Sequence, residues 1–201
     1  MAEGIGKPYK APPRIAAPME QPAEYRWTGF YVGGGVGYLF SNGDAVAEKQ
    51  AYVPALDLWE PITFNRDNQF FLGELKVGYD VQFANNMVVG VFGTWSPNLL
   101  LGTGNVDDIY SFGGRIGYGG PKLLVYVGGA WVRMETPDVA LDGWAAMVGF
   151  EQPLFNTQGL NLTWGLEYKY QDVEGSSNIL SSADDISHTV MARINLRFGG
   201  F

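Results

Sequence analysis

From Leu160 to Tyr170 apolar and polar residues alternate without a break. Leu160, Leu162, Trp164, Leu166, Tyr168 and Tyr170 fall on one side; Asn161, Thr163, Gly165, Glu167 and Lys169 fall on the other. A period of two predicts a β-strand with one apolar and one polar face. The apolar face ends in aromatics, while the polar face carries ions of both signs. A strand of about 9–11 residues with that division suits a wall between lipid and a polar lumen.

The same pattern recurs along the chain. A first strand is predicted over Thr28–Phe40, with Phe30, Val32, Val36, Tyr38 and Phe40 on one face and Gly33, Gly35 and Gly37 on the other. After a long loop, Ser41–Asn68, a second strand over Gln69–Gln82 turns Phe71, Leu75, Val77, Tyr79 and Val81 outward and Glu74, Lys76, Asp80 and Gln82 inward. Met87–Ser96 directs Met87, Val89, Val91 and Trp95 outward. Asp108–Gly119 sets Tyr110, Phe112, Ile116 and Tyr118 against Ser111 and Arg115. In Leu123–Met134 both faces are apolar. Placing its one ion, Arg133, inside puts Tyr126, Ala130 and Val132 outward and Trp131 inward. Val139–Gln152 opposes Trp144, Ala146, Val148 and Phe150 to Met147 and Glu151. After the Leu160–Tyr170 strand, an acidic loop over Asp172–Asp185 leads to Ile186–Phe198, with Val190, Ala192, Ile194, Leu196 and Phe198 outward and Thr189, Arg193, Asn195 and Arg197 inward.

An even number of strands, with short turns alternating with longer loops, predicts an all-β fold: an eight-stranded antiparallel up-and-down transmembrane β-barrel with an N-terminal extended tail. Residues 1–26, rich in proline and alanine, form the tail, and residues 27–201 the barrel. Short turns and the tail would then lie on the periplasmic side and long loops outside.

Composition sharpens this picture. The chain has 201 residues, enough for one domain, and lacks a run of about 18 apolar residues, so a membrane helix is not expected. Glycine at 28 residues and aromatics at 14% are high for a soluble domain. In a narrow barrel glycine makes room inside and aromatics belong at the lipid interface. The absence of cysteine excludes disulfides, thiolate metal sites and cysteine nucleophiles. Met1-Ala2-Glu3-Gly4 lacks the basic head and apolar core of a signal peptide, so the chain reads as a mature one. A net charge of −8 argues against nucleic-acid binding.

The distribution of charge tests the strand assignment. Asp44, Glu48, Asp57, Glu60, Asp67, Asp107, Asp108, Glu135, Asp138, Asp142, Asp172, Glu174, Asp184 and Asp185 all fall in the outer loops or at their rims. Glu74, Lys76, Asp80, Arg115, Arg133, Glu151, Glu167, Lys169, Arg193 and Arg197 fall inside, as an ion network. None lands on the lipid-facing bands, where a midplane Arg or Lys would cost about 2–4 kcal/mol. The aromatics expected at the lipid interface are Phe30, Tyr38, Phe40, Phe71, Tyr79, Trp95, Tyr110, Tyr118, Tyr126, Trp144, Phe150, Tyr168, Tyr170 and Phe198. A soluble lipocalin-like barrel would reverse the two faces. The ions crowded on the polar face, the aromatics at both strand ends and the apolar row closing at Phe198 all disfavour it.

WTGFYVGGGVGY (Trp27–Tyr38) and HTVMARINLRF (His188–Phe198), with GGRIGY (Gly113–Tyr118), YVGGAW (Tyr126–Trp131) and WAAMVGFE (Trp144–Glu151), resemble the small porin-family barrels of alphaproteobacterial outer membranes, within the wider OmpA/opacity-like group. The resemblance covers Trp27–Phe198. It implies a Gram-negative outer membrane, contact with lipid and lipopolysaccharide, and insertion by the barrel-assembly machinery, which reads a C-terminal aromatic. It also implies that an amino terminus at Ala2 could be joined to peptidoglycan.

Candidate chemistry is sparse. Some small barrels resemble lipid A deacylases or acyltransferases, which need a serine and histidine together. His188 is the single histidine and its neighbour Ser187 faces the opposite way, so no catalytic centre is expected, nor any cofactor. Asp107, Asp108, Asp184 and Asp185 are weak candidates for contacts to a divalent cation. The inward ions would plug a lumen just wide enough for side chains. The expected function is structural, in envelope integrity and surface interaction. The alternatives are a small-solute or ion porin, and an adhesin or receptor acting through acidic outer loops.

Overall fold

The computed structural model describes residues 25–53, 58–97, 108–135, 140–157, 160–175 and 180–199. Eight strands run in chain order: β1 (Gly29–Val53), β2 (Leu58–Gln82), β3 (Met87–Pro97), β4 (Asp108–Gly119), β5 (Leu124–Glu135), β6 (Ala140–Thr157), β7 (Leu160–Gly175) and β8 (Leu180–Phe198). Each pairs antiparallel with its sequence neighbour, and β1 pairs with β8 to close the barrel. The terminal residues Tyr25 and Gly199 and the turns at Phe83–Asn86 and Gly120–Leu123 share one end, the short-turn end. Asn86 takes the left-handed conformation, φ 65°, that the tight turn requires.

Burial alternates residue by residue. On β7, for example, Thr163, Gly165, Glu167 and Lys169 are buried and Leu166 and Tyr168 are exposed. The usual partition is inverted: the outside is apolar and the centre ionic. Phe71, Phe112, Tyr118, Phe155, Val36 and Ile194 each leave more than half of their surface exposed, while Lys76, Glu151 and Glu167 are almost fully enclosed.

Two sequence expectations need correction. The parity of β5 is opposite to the one inferred from Arg133. Tyr126, Ala130 and Val132 point into the lumen and Trp131 points out. Arg133 lies on the outer face at the rim, its side chain 41% exposed, pairing with Glu135 at 3.3 Å and Asp142 at 3.5 Å. At that rim position the outer face supplies both exposure and two carboxylate partners, so an arginine has no need of the lumen. Tyr126 therefore leaves the lipid-interface set and Arg133 leaves the interior network.

The stretches read as loops over Ser41–Asn68 and Asp172–Asp185 are largely strand. β1 and β2 remain paired from Ser41↔Asn68 as far as Val53↔Leu58. β7 and β8 remain paired as far as Gly175↔Ala183.

Candidate functional site: a salt-bridged lumen

Strand periodicity and register stack the inward ions in two levels. Nearer the short turns, Asp80 of β2, Arg115 of β4, Glu151 of β6 and Arg197 of β8 form a ring of alternating charge. Arg115 grips Asp80 with two nitrogens, Nε at 3.0 Å and Nη2 at 2.6 Å, and donates through Nη1 to Glu151 at 2.6 Å. Arg197 donates to the same two carboxylates at 2.8 Å and 3.0 Å. Thr163 completes the shell of Glu151 at 3.1 Å. The guanidinium of Arg115 lies between the rings of Tyr31 and Tyr126, at 4.7 Å and 4.6 Å.

The second level joins Glu74 and Lys76 of β2, Glu167 and Lys169 of β7, and Arg193 of β8. Lys76 donates to Glu167 at 2.8 Å and Lys169 to Glu74 at 2.6 Å. Arg193 bridges both acids, reaching Glu167 at 2.7 Å and also Glu74. Tyr126 donates its hydroxyl to Glu167 at 2.8 Å, so the β5 residue assigned to lipid in fact helps to hold the network. Charged hydrogen bonds of this kind are short and strong, and each acid here has more than one partner.

Interior glycines make this possible in so narrow a tube. A Cβ at Gly90 would overlap the Asp80 carboxylate, and one at Gly149 would come within 2.6 Å of the Tyr126 hydroxyl. The glycine faces are thus the seats on which the network lies.

Both ends of the lumen are filled. At the short-turn end Tyr25 and Trp27, upstream of β1, pack with Val88, Leu124 and Tyr126. Trp27 is fully buried; its indole donates to the Gly120 carbonyl at 2.8 Å and its ring lies 5.0 Å from the Arg197 guanidinium. Sequence reasoning missed this stopper, because a tryptophan before the first strand carries no periodicity to mark it. Above the ions, towards the long hairpins, the filling is apolar: Leu39, Leu72, Phe92, Ile109, Val132, Met134, Leu141, Met147, Val173 and Met191. Thr94 and Ser111 hydrogen-bond across this region at 2.6 Å.

On the outer surface Phe30, Phe40, Phe71, Tyr79, Trp95, Tyr110, Tyr118, Trp144, Tyr168 and Phe198 are exposed, with Tyr38, Phe150 and Tyr170 partly so. Trp131 joins them. Ser187 is buried on the lumen face of β8 and His188 faces out, its Nδ1 2.7 Å from the Tyr168 hydroxyl, so the two do not meet. Asp108 accepts from Tyr110 at 2.7 Å. Ala2, Asp107 and the rest of residues 1–24 lie outside the described residues, as do the side chains of Asp184 and Asp185.

No family model matches the chain and no curated protein is similar to it. Among solved structures it is similar to Neisserial surface protein A, at 16% identity and TM-score 0.48, covering 85% of this chain and 98% of that one. The outer membrane protein OprG from Pseudomonas aeruginosa is similar at 13% identity and TM-score 0.46, covering 89% and 100%. The outer membrane protein AlkL, in lipid bilayers, is similar at 15% identity and TM-score 0.41, covering 98% of each chain. These likenesses are too distant to carry function, which rests on the chain's own geometry.

Proposed function

We propose that this chain is an integral outer-membrane barrel with a closed lumen, serving a structural role in the cell envelope. The observation that carries the reading is the inverted partition: aromatic and aliphatic side chains face outward, and a multiply bonded ion network fills the centre. On β7 the outward apolar row runs from Leu160 to Tyr170. At roughly 3.3 Å per residue and a tilt of about 40°, that row spans about 25 Å, the height of an outer-membrane apolar band.

Short turns and the tail face the periplasm in this reading, and the long hairpins face out. The tail then lies where it could reach peptidoglycan through Ala2, and the outer rim where it meets lipopolysaccharide. The closed reading is favoured over a porin because the lumen side chains enclose one another at both ion levels and at both ends. The β1–β2 hairpin, paired well beyond the aromatic belt, favours surface contact as an accompanying role.

Adding urea-unfolded chain to preformed lipid vesicles tests the membrane assignment. A compact, heat-modifiable gel band and protection of the barrel from trypsin are expected. A chain that stays digestible and unshifted would contradict the assignment.

A further inference from the structure

The two ion levels differ in charge balance. Asp80 and Glu151 offset Arg115 and Arg197, but Glu74 and Glu167 face three cations, Lys76, Lys169 and Arg193. Among the described residues the lumen therefore carries one positive charge in excess, with every member of the set buried. An uncompensated charge in a dry interior is strongly unfavourable.

The excess lies beside unused donors on one wall. Arg193 Nε and Nη1, Arg197 Nε and both the nitrogen and the oxygen of the Asn195 amide are buried without hydrogen-bond partners, and so is the Tyr31 hydroxyl. Residues 193, 195 and 197 are successive inward positions of β8. Opposite them on β1 stand Tyr31, Gly33 and Gly35, so that wall brings no carboxylate. Buried polar groups ordinarily have partners, and unpaired ones call for a specific explanation.

We propose that the lumen binds one small monovalent anion, a halide, on the β8 wall at the level of Asn195, between Arg193 and Arg197. The Asn195 amide, with no partner on either atom, turns its nitrogen to the anion, joining the arginine N–H groups and the Tyr31 O–H, and the imbalance is a single charge. A divalent oxyanion would overcompensate it and is too large for so narrow a tube. The site rests on the closed-lumen reading, since an open pore would let the solution balance the charge.

The test is refolding from urea in chloride, bromide or gluconate at equal ionic strength, with melting followed by heat-modifiable gel mobility. An anion bound only by the folded state raises the midpoint by mass action. Chloride and bromide are expected to raise it over gluconate by roughly 5 °C. Crystals grown in bromide should show an anomalous peak at the Asn195 level. N195D supplies the missing charge and should melt alike in all three anions. Equal wild-type midpoints with no bromide peak would overturn the site. Halide dependence that survives in folded N195D would overturn it too. Should N195D not fold, the wild-type bromide peak decides. Failure of the closed-lumen reading shows separately, as conductance from wild-type protein.

Discussion

At the residue scale the network's energetics follow from how completely each ion is enclosed. Glu167 accepts from Lys76, Arg193 and Tyr126, and Glu167→Gln would remove the charge that all three satisfy. Breaking a buried pair from one side costs about 3–5 kcal/mol, because the partner charges stay buried. Arg133→Gln, at an exposed rim pair, should change stability by less than about 1 kcal/mol. Urea titrations of the two variants in detergent check the contrast, and equal effects would contradict the revised position of Arg133. Glycine supplies a second contrast. Gly90→Ala would push a methyl into the Asp80 carboxylate, whereas a Cβ at Gly93 meets nothing nearer than the Ser111 carbonyl at 3.7 Å. Overpacking of this kind typically costs about 1–3 kcal/mol, so Gly90→Ala should lower the melting midpoint while Gly93→Ala leaves it almost unchanged.

At the scale of single strands, legibility tracked the contrast between the two faces. β7 and β8 alternate ions with apolar groups, and their inward positions Glu167, Lys169, Arg193 and Arg197 are correspondingly plain in the sequence. In β5, Val125 and Val127 alternate with Leu124 and Tyr126, apolar against apolar, so period two fixes a strand but not its orientation. The deciding weight then fell on Arg133, which stands above the belt where orientation no longer discriminates. The outer ends of β1, β2, β7 and β8 do not show as strands in the sequence for a related reason. On β7 the outward positions become Asp172 and Glu174 while Val173 stays buried, which reverses the apolar-out contrast although backbone pairing continues. Periodicity reports a difference in environment, not hydrogen bonding itself. The native chain has no cysteine, so single cysteines can report the parity of β5 cleanly. Labels at Val127 and Trp131 should be quenched by a lipid-soluble quencher, and labels at Ala130 and Val132 should be shielded. The reverse pattern would restore the parity that the sequence suggested.

At the scale of the molecule, the barrel is a tube filled along its length by different materials: an aromatic stopper, two ionic levels and an apolar plug. An eight-stranded tube is only just wide enough for its own side chains, and here they take up the space. The ionic levels tie non-adjacent strands together, as when Arg115 of β4 joins β2 to β6. Cross-links of this kind brace the wall against collapse and shear, which suits a structural role in an envelope.

Closure of the lumen is the claim on which the rest depends, and planar-bilayer conductance tests it most directly. Protein whose folding has been verified by heat-modifiable mobility should insert and stay silent across the applied voltage range. Reproducible discrete steps whose size or ion preference shifts in Glu167→Gln or Arg193→Gln would show that the ions line a path rather than fill it, and would contradict the account.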